Sequence, residues 1–275
     1  MRLKSAQYIR ALTRGLSMAA AAGLGVCACN AQAPPAPSGG SLSTVLAAAR
    51  ARVEATDVRA TGRLVQVAAD GKRTSGSIAI KARWFPDGLR MIVGIGSGGN
   101  SMHFLLTTDL HGRTGVEYLP PAKTSPTLLQ PEHWGDALPG SIFSPEDLTE
   151  GQFLWTKQTL LPSQKYGARE CFVLKSEPAV GERSLYSSVT TWIDQKTGAP
   201  VHVERTAKTG GPQKDFIYFD LRQTDGVWAA RQVEAKLQGG AASSLLVLER
   251  GSARAQLQRK DFNLSKSPLS GPGSQ

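Results

Sequence analysis

The chain has 275 residues and carries 32 Lys and Arg against 22 Asp and Glu, a formal charge of +10 at pH 7. The basic residues form no block with interleaved aromatic residues, so the charge does not indicate a nucleic-acid-binding protein. No segment has the roughly 20 consecutive apolar residues that a transmembrane helix needs, which argues against a chain that spans a membrane with helices.

Residues 1–28 have the pattern of an export signal. Basic residues come first, at Arg2, Lys4, Arg10 and Arg14, and an apolar stretch rich in small residues follows at 16–28. This order is typical of a signal peptide. We therefore predict that residues 1–28 direct export, the alternative being an N-terminal helix of a cytosolic protein.

Cys29 is the predicted site of lipid attachment. Residues 26–29, Val-Cys-Ala-Cys, resemble the bacterial lipobox, with an aliphatic residue three places before the cysteine and a small residue just before it. Two or three acyl chains on Cys29 would anchor the protein stably to a membrane. Asn30 favours the outer membrane, facing the periplasm. The alternative is cleavage after Ala33, which would leave a soluble periplasmic protein.

The segments that flank the predicted domain have low-complexity compositions. Residues 29–40 combine the lipidated cysteine with a Pro- and Gly-rich stretch that predicts a flexible tether. Residues 266–275 are rich in Pro, Gly and Ser and predict a disordered tail. Once the signal is removed and Cys29 is lipidated, Cys171 is left without a disulfide partner, and its apolar surroundings predict a buried side chain.

The chain begins its regular structure with a predicted helix at 41–55. Ser41 or Ser43 can cap it, and apolar residues recur at helical spacing at Leu42, Val45, Leu46, Ala49 and Val53. Alternation and turn signals then predict strands at 58–68, 74–84, 89–95 and 102–107. Residues 119–150 are Pro-rich and predict long loops with one or two short helices, one of which starts at Ser144.

Strand patterns resume at 153–161, 169–177, 186–194, 200–208, 214–223, 227–238, 243–250 and 253–260. Turn signals such as Asp70-Gly71 and Asp225-Gly226 separate neighbouring strands, which predicts hairpins. No strand–helix–strand alternation occurs, which argues against a doubly wound nucleotide-binding fold. We predict one mainly β domain at 41–265, built on an antiparallel sheet or barrel.

Side chains with catalytic or metal-binding chemistry are scattered in the sequence. The histidines are His103, His111, His133 and His202, none in an H-x-x-x-H motif or beside a cysteine pair, so we predict no metal site. Ser97 lies in a Gly-rich stretch that predicts a hairpin tip rather than a nucleophile. Glu146, Asp147 and Glu150 lie near a helix start and suit its dipole better than an acid–base pair. We predict no catalytic residues, no cofactor and no enzymatic activity.

Five short motifs follow one another in the C-terminal half: Phe143-Ser-Pro-Glu-Asp-Leu148, Gly167-Ala-Arg-Glu-Cys-Phe-Val-Leu174, Val189-Thr-Thr-Trp-Ile-Asp194, Gly198-Ala-Pro200 and Asp261-Phe262. With these motifs, residues 140–263 resemble the LolA-like outer-membrane lipoprotein-sorting protein family. It implies a strongly curved antiparallel sheet or incomplete β-barrel, with an N-terminal helix and short plugging helices around a hydrophobic cavity. It also implies binding of lipid or of lipoprotein acyl chains. The soluble carriers of this superfamily have no lipid anchor, so an anchored protein resembles the receptor of the sorting route more than the carrier.

The predicted function is therefore lipid or acyl-chain binding in outer-membrane lipoprotein sorting or lipid transport. One buried acyl chain is worth on the order of 10 kcal/mol before ordering costs, at about 0.8 kcal/mol per CH₂. The candidate cavity residues are Leu64, Ile78, Ile80, Ile92, Phe104, Trp192, Val203, Phe216, Tyr218, Val233 and Leu246. The alternative is a cell-envelope sensing or scaffold module that binds a protein partner with the same fold.

Overall fold

The computed structural model describes residues 40–96, 100–135, 138, 140–208, 210–211 and 213–265. The predicted signal peptide, Cys29, the tether up to residue 39, Ser97 and the predicted tail at 266–275 lie outside the described residues. No helix in the part of the chain that the structure describes has the length and apolar character that crossing a membrane requires.

The N-terminal helix α1 spans Leu42–Glu54, as predicted. The Ser41 side chain caps it by accepting a hydrogen bond from the backbone N–H of Thr44, at 3.2 Å. Its buried face consists of Val45, Ala49 and Val53, the residues that the helical spacing selects. These side chains pack against Phe153, Phe172, Leu174 and Ile193.

The rest of the described chain is dominated by one antiparallel sheet. Its strands are β1 (Asp57–Val67), β2 (Arg73–Phe85), β3 (Gly88–Ile95), β4 (Met102–Thr108), β5 (Thr114–Leu119), β6 (Thr127–Leu128), β7 (Lys157–Tyr166), β8 (Arg169–Glu177), β9 (Tyr186–Asp194), β10 (Pro200–Ala207), β11 (Lys214–Thr224), β12 (Val227–Leu237) and β13 (Ser243–Ser252). Short 3₁₀ helices lie at Pro131–His133, Pro145–Leu148, Gly151–Leu154 and Arg259–Phe262.

Two meanders make up this sheet, in the order β6-β5-β4-β3-β2-β1-β13-β12-β11-β10-β9-β8-β7. Within each meander, strands that are neighbours in sequence pair with each other, and β1 pairs with β13, which joins the N-terminal half to the C-terminal half. The register of β1 against β13 shifts between Thr61 and Gly62. A Cβ added to Gly62 would lie 1.9 Å from the Val247 carbonyl oxygen, so this close approach of the two backbones requires glycine.

The sheet is curved and open. Side chains from nearly every strand meet in one apolar cluster on one face, which we call the concave face. The opposite, outer face carries a second cluster, formed by Phe85, Ile92, Leu105, Leu119, Leu257, Phe262 and Leu264. The end strands β6 and β7 do not pair with each other in the described sheet. The predicted fold class is confirmed: mainly β, with an N-terminal helix and short helices beside a curved antiparallel sheet.

The sequence-based strand predictions differ from the structure at several places, including β5 and β6, which were not predicted. Residues 253–260 are not a strand, since the chain leaves the sheet after β13 ends at Ser252. The Asp57 carboxylate instead accepts hydrogen bonds from the backbone N–H groups of Gln256 and Leu257, and Leu257 packs on the outer face. Residues 153–161 begin with a 3₁₀ helix, and the strand starts only at Lys157.

Candidate functional site: the concave face and the segment that covers it

The concave face gathers most of the predicted cavity residues. Nine of them lie in its apolar cluster: Leu64, Ile78, Ile80, Phe104, Val203, Phe216, Tyr218, Val233 and Leu246. Ile92 lies instead in the outer-face cluster, beneath the C-terminal segment. Trp192 is also directed to the outer face, where its ring lies 4.6 Å from the His202 ring. The structure thus brings nine of the eleven residues together.

A segment without long regular structure covers the concave face. We call residues 129–155 the covering segment, and its described residues contribute Leu129, Trp134, Leu138, Ile142, Phe143, Leu148 and Trp155 to the apolar cluster. Trp134 is 1% exposed, Phe143 2% and Trp155 3%. Phe143 packs against Phe216 of β11 with ring centroids 5.7 Å apart. The covering segment therefore fills the centre of the concave face with aromatic side chains.

Asp147 anchors the covering segment to the sheet. It is buried, and its Oδ2 atom accepts hydrogen bonds from the Ser144 backbone N–H at 2.7 Å and from Lys214 Nζ at 2.8 Å. Its Oδ1 atom accepts a hydrogen bond from the Tyr186 hydroxyl and lies 3.5 Å from Arg205 Nε. Burial by itself would raise the pKa of Asp147, but the charges of Lys214 and Arg205 outweigh it and lower that pKa below 3.8.

Glu146 forms a second buried contact of the same 3₁₀ helix. Ser184 Oγ donates to Glu146 Oε1 at 2.5 Å, and the Leu185 backbone N–H donates to Oε2 at 2.8 Å. Burial raises the pKa of Glu146 above 4.5, because these two hydrogen bonds and the Arg205 charge do not fully replace the lost water. The Pro-Glu-Asp-Leu motif therefore fixes this loop with two buried carboxylates, not with the helix dipole that the sequence suggested.

The C-terminal end of the covering segment is tied to α1. Arg50 Nε donates to the Phe153 carbonyl oxygen at 2.9 Å, and Arg52 forms an ion pair with Glu150. Phe153 itself packs against the buried face of α1. Residues 144–155 are thus fixed by both the sheet and the helix.

The part around Trp134 is attached differently. The Leu129 backbone N–H donates to the Val116 carbonyl oxygen at 2.8 Å, and the Ile142 N–H donates to Ser244 Oγ at 3.0 Å. The Trp134 indole N–H donates to the Leu129 carbonyl oxygen, within the covering segment itself. The Trp134 side chain is therefore held on the concave face by apolar packing, and its indole N–H has its hydrogen-bond partner within the covering segment.

Cys171 is buried, as the sequence predicted. Its Sγ atom lies 3.7 Å from the Arg169 carbonyl oxygen. Burial raises the pKa of the thiol, and the nearby Asp194 carboxylate adds to the effect. These surroundings favour an inert thiol.

The outer face carries a polar group that the sequence motifs miss. His202 and Glu204 of β10 and Asp215 of β11 place their ligand atoms within 4.8 Å of one another. Burial lowers the pKa of His202, and it raises the pKa of Glu204, to which the Asp215 charge adds. A motif search for histidine and cysteine pairs passes over this group, because one of its members comes from the next strand. The sequence signal for this group is the His-x-Glu spacing at 202–204, because side chains two residues apart lie on the same face of a strand.

Comparisons with known proteins place the chain among structures of one fold. Residues 110–266 match the model of a family described as "Uncharacterized protein". No curated protein matches the chain significantly.

Three solved structures are similar over most of their length. A domain from Vibrio parahaemolyticus described as an outer membrane lipoprotein-sorting protein has a TM-score of 0.71 at 20% identity, covering 80% of this chain and 94% of its own. A DUF1329 family protein from Desulfovibrio piger has a TM-score of 0.72 at 14% identity, covering 80% and 95%. A LolA superfamily protein from Nitrosomonas europaea has a TM-score of 0.61 at 16% identity, covering 78% and 97%. The LolA-like resemblance predicted from the sequence is confirmed in the fold.

Proposed function

Because the chain belongs to the uncharacterized protein family whose model matches residues 110–266 and has the fold of LolA superfamily proteins, we propose that it binds lipid or lipoprotein acyl chains on its concave face. The binding serves outer-membrane lipoprotein sorting or lipid transport, and it needs no catalytic residue. One similar structure carries lipoprotein sorting in its description, which supports this choice of ligand.

The continuous apolar concave face is the observation that carries the proposal. Nine predicted residues meet there, and what lies over them is a loop segment and not a second sheet. The Trp134 part of this segment is held mainly by apolar contacts. An acyl chain offers the same kind of contact, worth about 0.8 kcal/mol per buried CH₂.

Ligand entry then requires an exchange of apolar groups. Exposing one large apolar side chain such as Trp134 costs about 2–3 kcal/mol, whereas burying an acyl chain of ordinary length gains on the order of 10 kcal/mol before ordering costs. The contacts of Asp147 keep residues 144–155 in place, while the residues around Trp134 are displaced from the concave face. The acyl chain takes the space of Trp134, and the anchored half of the covering segment stays as one wall of the cavity.

Placement in the envelope is part of the same proposal. Residues 1–28 direct export, Cys29 carries the lipid, and residues 30–40 tether the domain to the outer membrane on its periplasmic side. A soluble periplasmic protein is the alternative if cleavage falls after Ala33. An anchored protein suits the receiving end of a transfer route, because it stays at the membrane into which the cargo is inserted.

Native mass spectrometry of detergent-free protein from an envelope extract tests the proposal. We expect adducts that release phospholipid or acyl masses on activation, and displacement of a fluorescent fatty acid by those lipids. Val233→Lys places an ammonium against the apolar cluster of the concave face and should abolish both signals. Gln232→Lys, on the opposite face of the same strand, is the matched control and should retain them. A folded protein without adducts or fatty-acid binding would refute the proposal.

The filled interior supports one other function. Trp134, Phe143 and Trp155 occupy the centre of the concave face, as expected of a module that uses this fold to bind an envelope protein instead of a lipid. Such a module would show no lipid adduct and would recover one envelope protein at stoichiometric level in a pull-down. Equal recovery by wild type and Val233→Lys would place that contact away from the concave face.

A further inference from the structure

We propose that His202, Glu204 and Asp215 form a binding site for a first-row divalent metal ion such as Zn²⁺ on the outer face of the sheet. His202 and Glu204 lie two residues apart on β10, so they share a face. Asp215 lies directly opposite Glu204 on β11. His202 Nε2 is 3.7 Å from Asp215 Oδ1. The site is on the face opposite to the proposed lipid site and does not depend on lipid binding.

The geometry is close to that of a metal site. All three ligand atoms lie within 4.8 Å of one another. Two ligands of a tetrahedral Zn²⁺ with bonds of about 2.1 Å are about 3.4 Å apart. Side-chain shifts of about an ångström would therefore bring the three groups into coordination, without any change in the strands.

The charges around the site also favour a cation. Glu204 and Asp215 are directly opposed across the two strands, an arrangement that is unfavourable for like charges. Among the described residues, the ion pairs of these two carboxylates include no Lys or Arg. Lys236 lies opposite Asp215 on β12 but pairs with Glu234, at 3.0 Å. A divalent ion would remove the repulsion that the protein itself leaves uncompensated.

Two aromatic rings hold the imidazole of His202 in position. The Tyr166 ring lies 4.7 Å from it with an interplanar angle of 14°, and the Trp192 ring lies 4.6 Å from it with an angle of 37°. Trp192 is in turn fixed by a hydrogen bond from its indole N–H to Gln164 Oε1, at 3.0 Å. The ligand is therefore oriented before the metal arrives, which lowers the entropy cost of coordination.

The ligand set selects the class of metal and its affinity. One imidazole nitrogen and two carboxylates suit first-row divalent ions, with Mn²⁺ the weakest and Cu²⁺ the strongest. His202 Nδ1 is buried and has no hydrogen-bond partner among the residues that the structure describes, so the outer hydrogen bond that usually strengthens a histidine ligand is missing there. We therefore expect binding about 10–100-fold weaker than in a site with that bond, with open positions for water.

Titration of Zn²⁺ into the EDTA-treated, desalted full chain, followed by calorimetry, tests the site. The double variant Glu204→Gln/Asp215→Asn keeps the side-chain shapes and should weaken Zn²⁺ binding by at least about tenfold. His103→Ala removes a histidine on β4 and should leave the affinity unchanged. The chain contains 3 Cys residues that can also bind Zn²⁺, so the difference between wild type and the double variant is the deciding quantity.

Fluorescence gives a second, local readout. Ni²⁺ bound beside His202 should quench Trp192 fluorescence, and Trp192→Phe should remove that part of the quenching. His202→Ala loses aromatic packing and can unfold, so the isosteric double variant decides the question in that event. No Zn²⁺ binding by wild type, or equal binding by wild type and the double variant, would overturn the proposal.

Discussion

Replacement of Asp147 by Asn tests the anchor of the covering segment. The amide keeps the size of the carboxylate, and its oxygen can still accept the hydrogen bond from the Ser144 backbone N–H. It removes the negative charge that faces Lys214 and Arg205. The side chain of Arg205 is 3% exposed and that of Lys214 is 14% exposed, so water does not replace the lost charge.

The expected loss of stability is about 3–5 kcal/mol, the usual cost of removing one partner of a buried ion pair. Asp261→Asn is the matched control, because Asp261 accepts the equivalent hydrogen bond from the Gln258 backbone N–H at 2.7 Å in another 3₁₀ helix. This hydrogen bond is exposed and Asp261 is only half-buried, so the control should lose about 1 kcal/mol, the usual contribution of a helix cap. The difference between the two variants is the contribution of the buried charges.

Urea unfolding, followed by tryptophan fluorescence with unchanged m values, measures both losses. The folded-state pKa of Asp147 is lowered, so its contribution is fully present above the unfolded value of about 3.9 and is lost as pH falls through the folded value. The gap between Asp147→Asn and wild type should therefore narrow only in strong acid. A loss at neutral pH within 1 kcal/mol of that of Asp261→Asn would show that the cations are solvated without Asp147, and the reasoning would fail.

Three further predictions concern the backbone, a raised pKa and a thiol. Gly62→Ala should cost about 1–3 kcal/mol in thermal or urea unfolding, because its Cβ meets the Val247 carbonyl, whereas Gly76→Ala meets nothing within 4 Å and should be neutral or slightly stabilising. The pKa of Glu146 is raised in the folded protein. The difference in unfolding free energy between wild type and Glu146→Gln should therefore be constant below about pH 4.5 and should decline as pH rises through the folded pKa. A difference that does not change with pH would contradict this prediction. Cys171 should resist alkylation in the native protein and react in urea, as peptide mass mapping would show; rapid native labelling would contradict its burial.

Local signals in the sequence were sufficient for most of the fold. Asp70-Gly71 and Asp225-Gly226 form turns between paired strands, and Gly71 and Gly226 both have φ of 85°. The turn needs this conformation, which glycine adopts without strain. Ser41 caps the predicted helix for an equally local reason.

The sequence-based predictions were wrong where contacts between residues far apart in the sequence determine the structure. Alternation along β3 places Ile92 on the same face as Arg90, but it does not show that this face is buried at Ile92 by the C-terminal segment. Residues 253–260 have a strand-like pattern, but their backbone is held by the Asp57 carboxylate, which lies about 200 residues earlier in the sequence. The short strand Thr114–Leu119 precedes a Pro-rich stretch and carries Gly115, which weakens its strand signal.

The sequence did not predict the Asp147 anchor or the His202, Glu204 and Asp215 group for the same reason. Asp147 meets Arg205 and Lys214 only because the loop folds back onto β10 and β11. Spacing along one sequence does not show such a contact. The pairing of Asp215 with Glu204 depends likewise on the β10–β11 register, which is known only once the sheet is formed.

The pairing of β1 with β13 has a kinetic consequence. Arg63 and Glu249, which form an ion pair across it, are 186 residues apart in sequence. A chain made from its N-terminus therefore has the partner of β1 only when β13 emerges, after almost the whole domain. Pairing over such a distance slows folding, since a very long loop must close first. We infer that the ladder between β1 and β13 is completed late, so the domain stays incompletely folded until its synthesis is nearly finished.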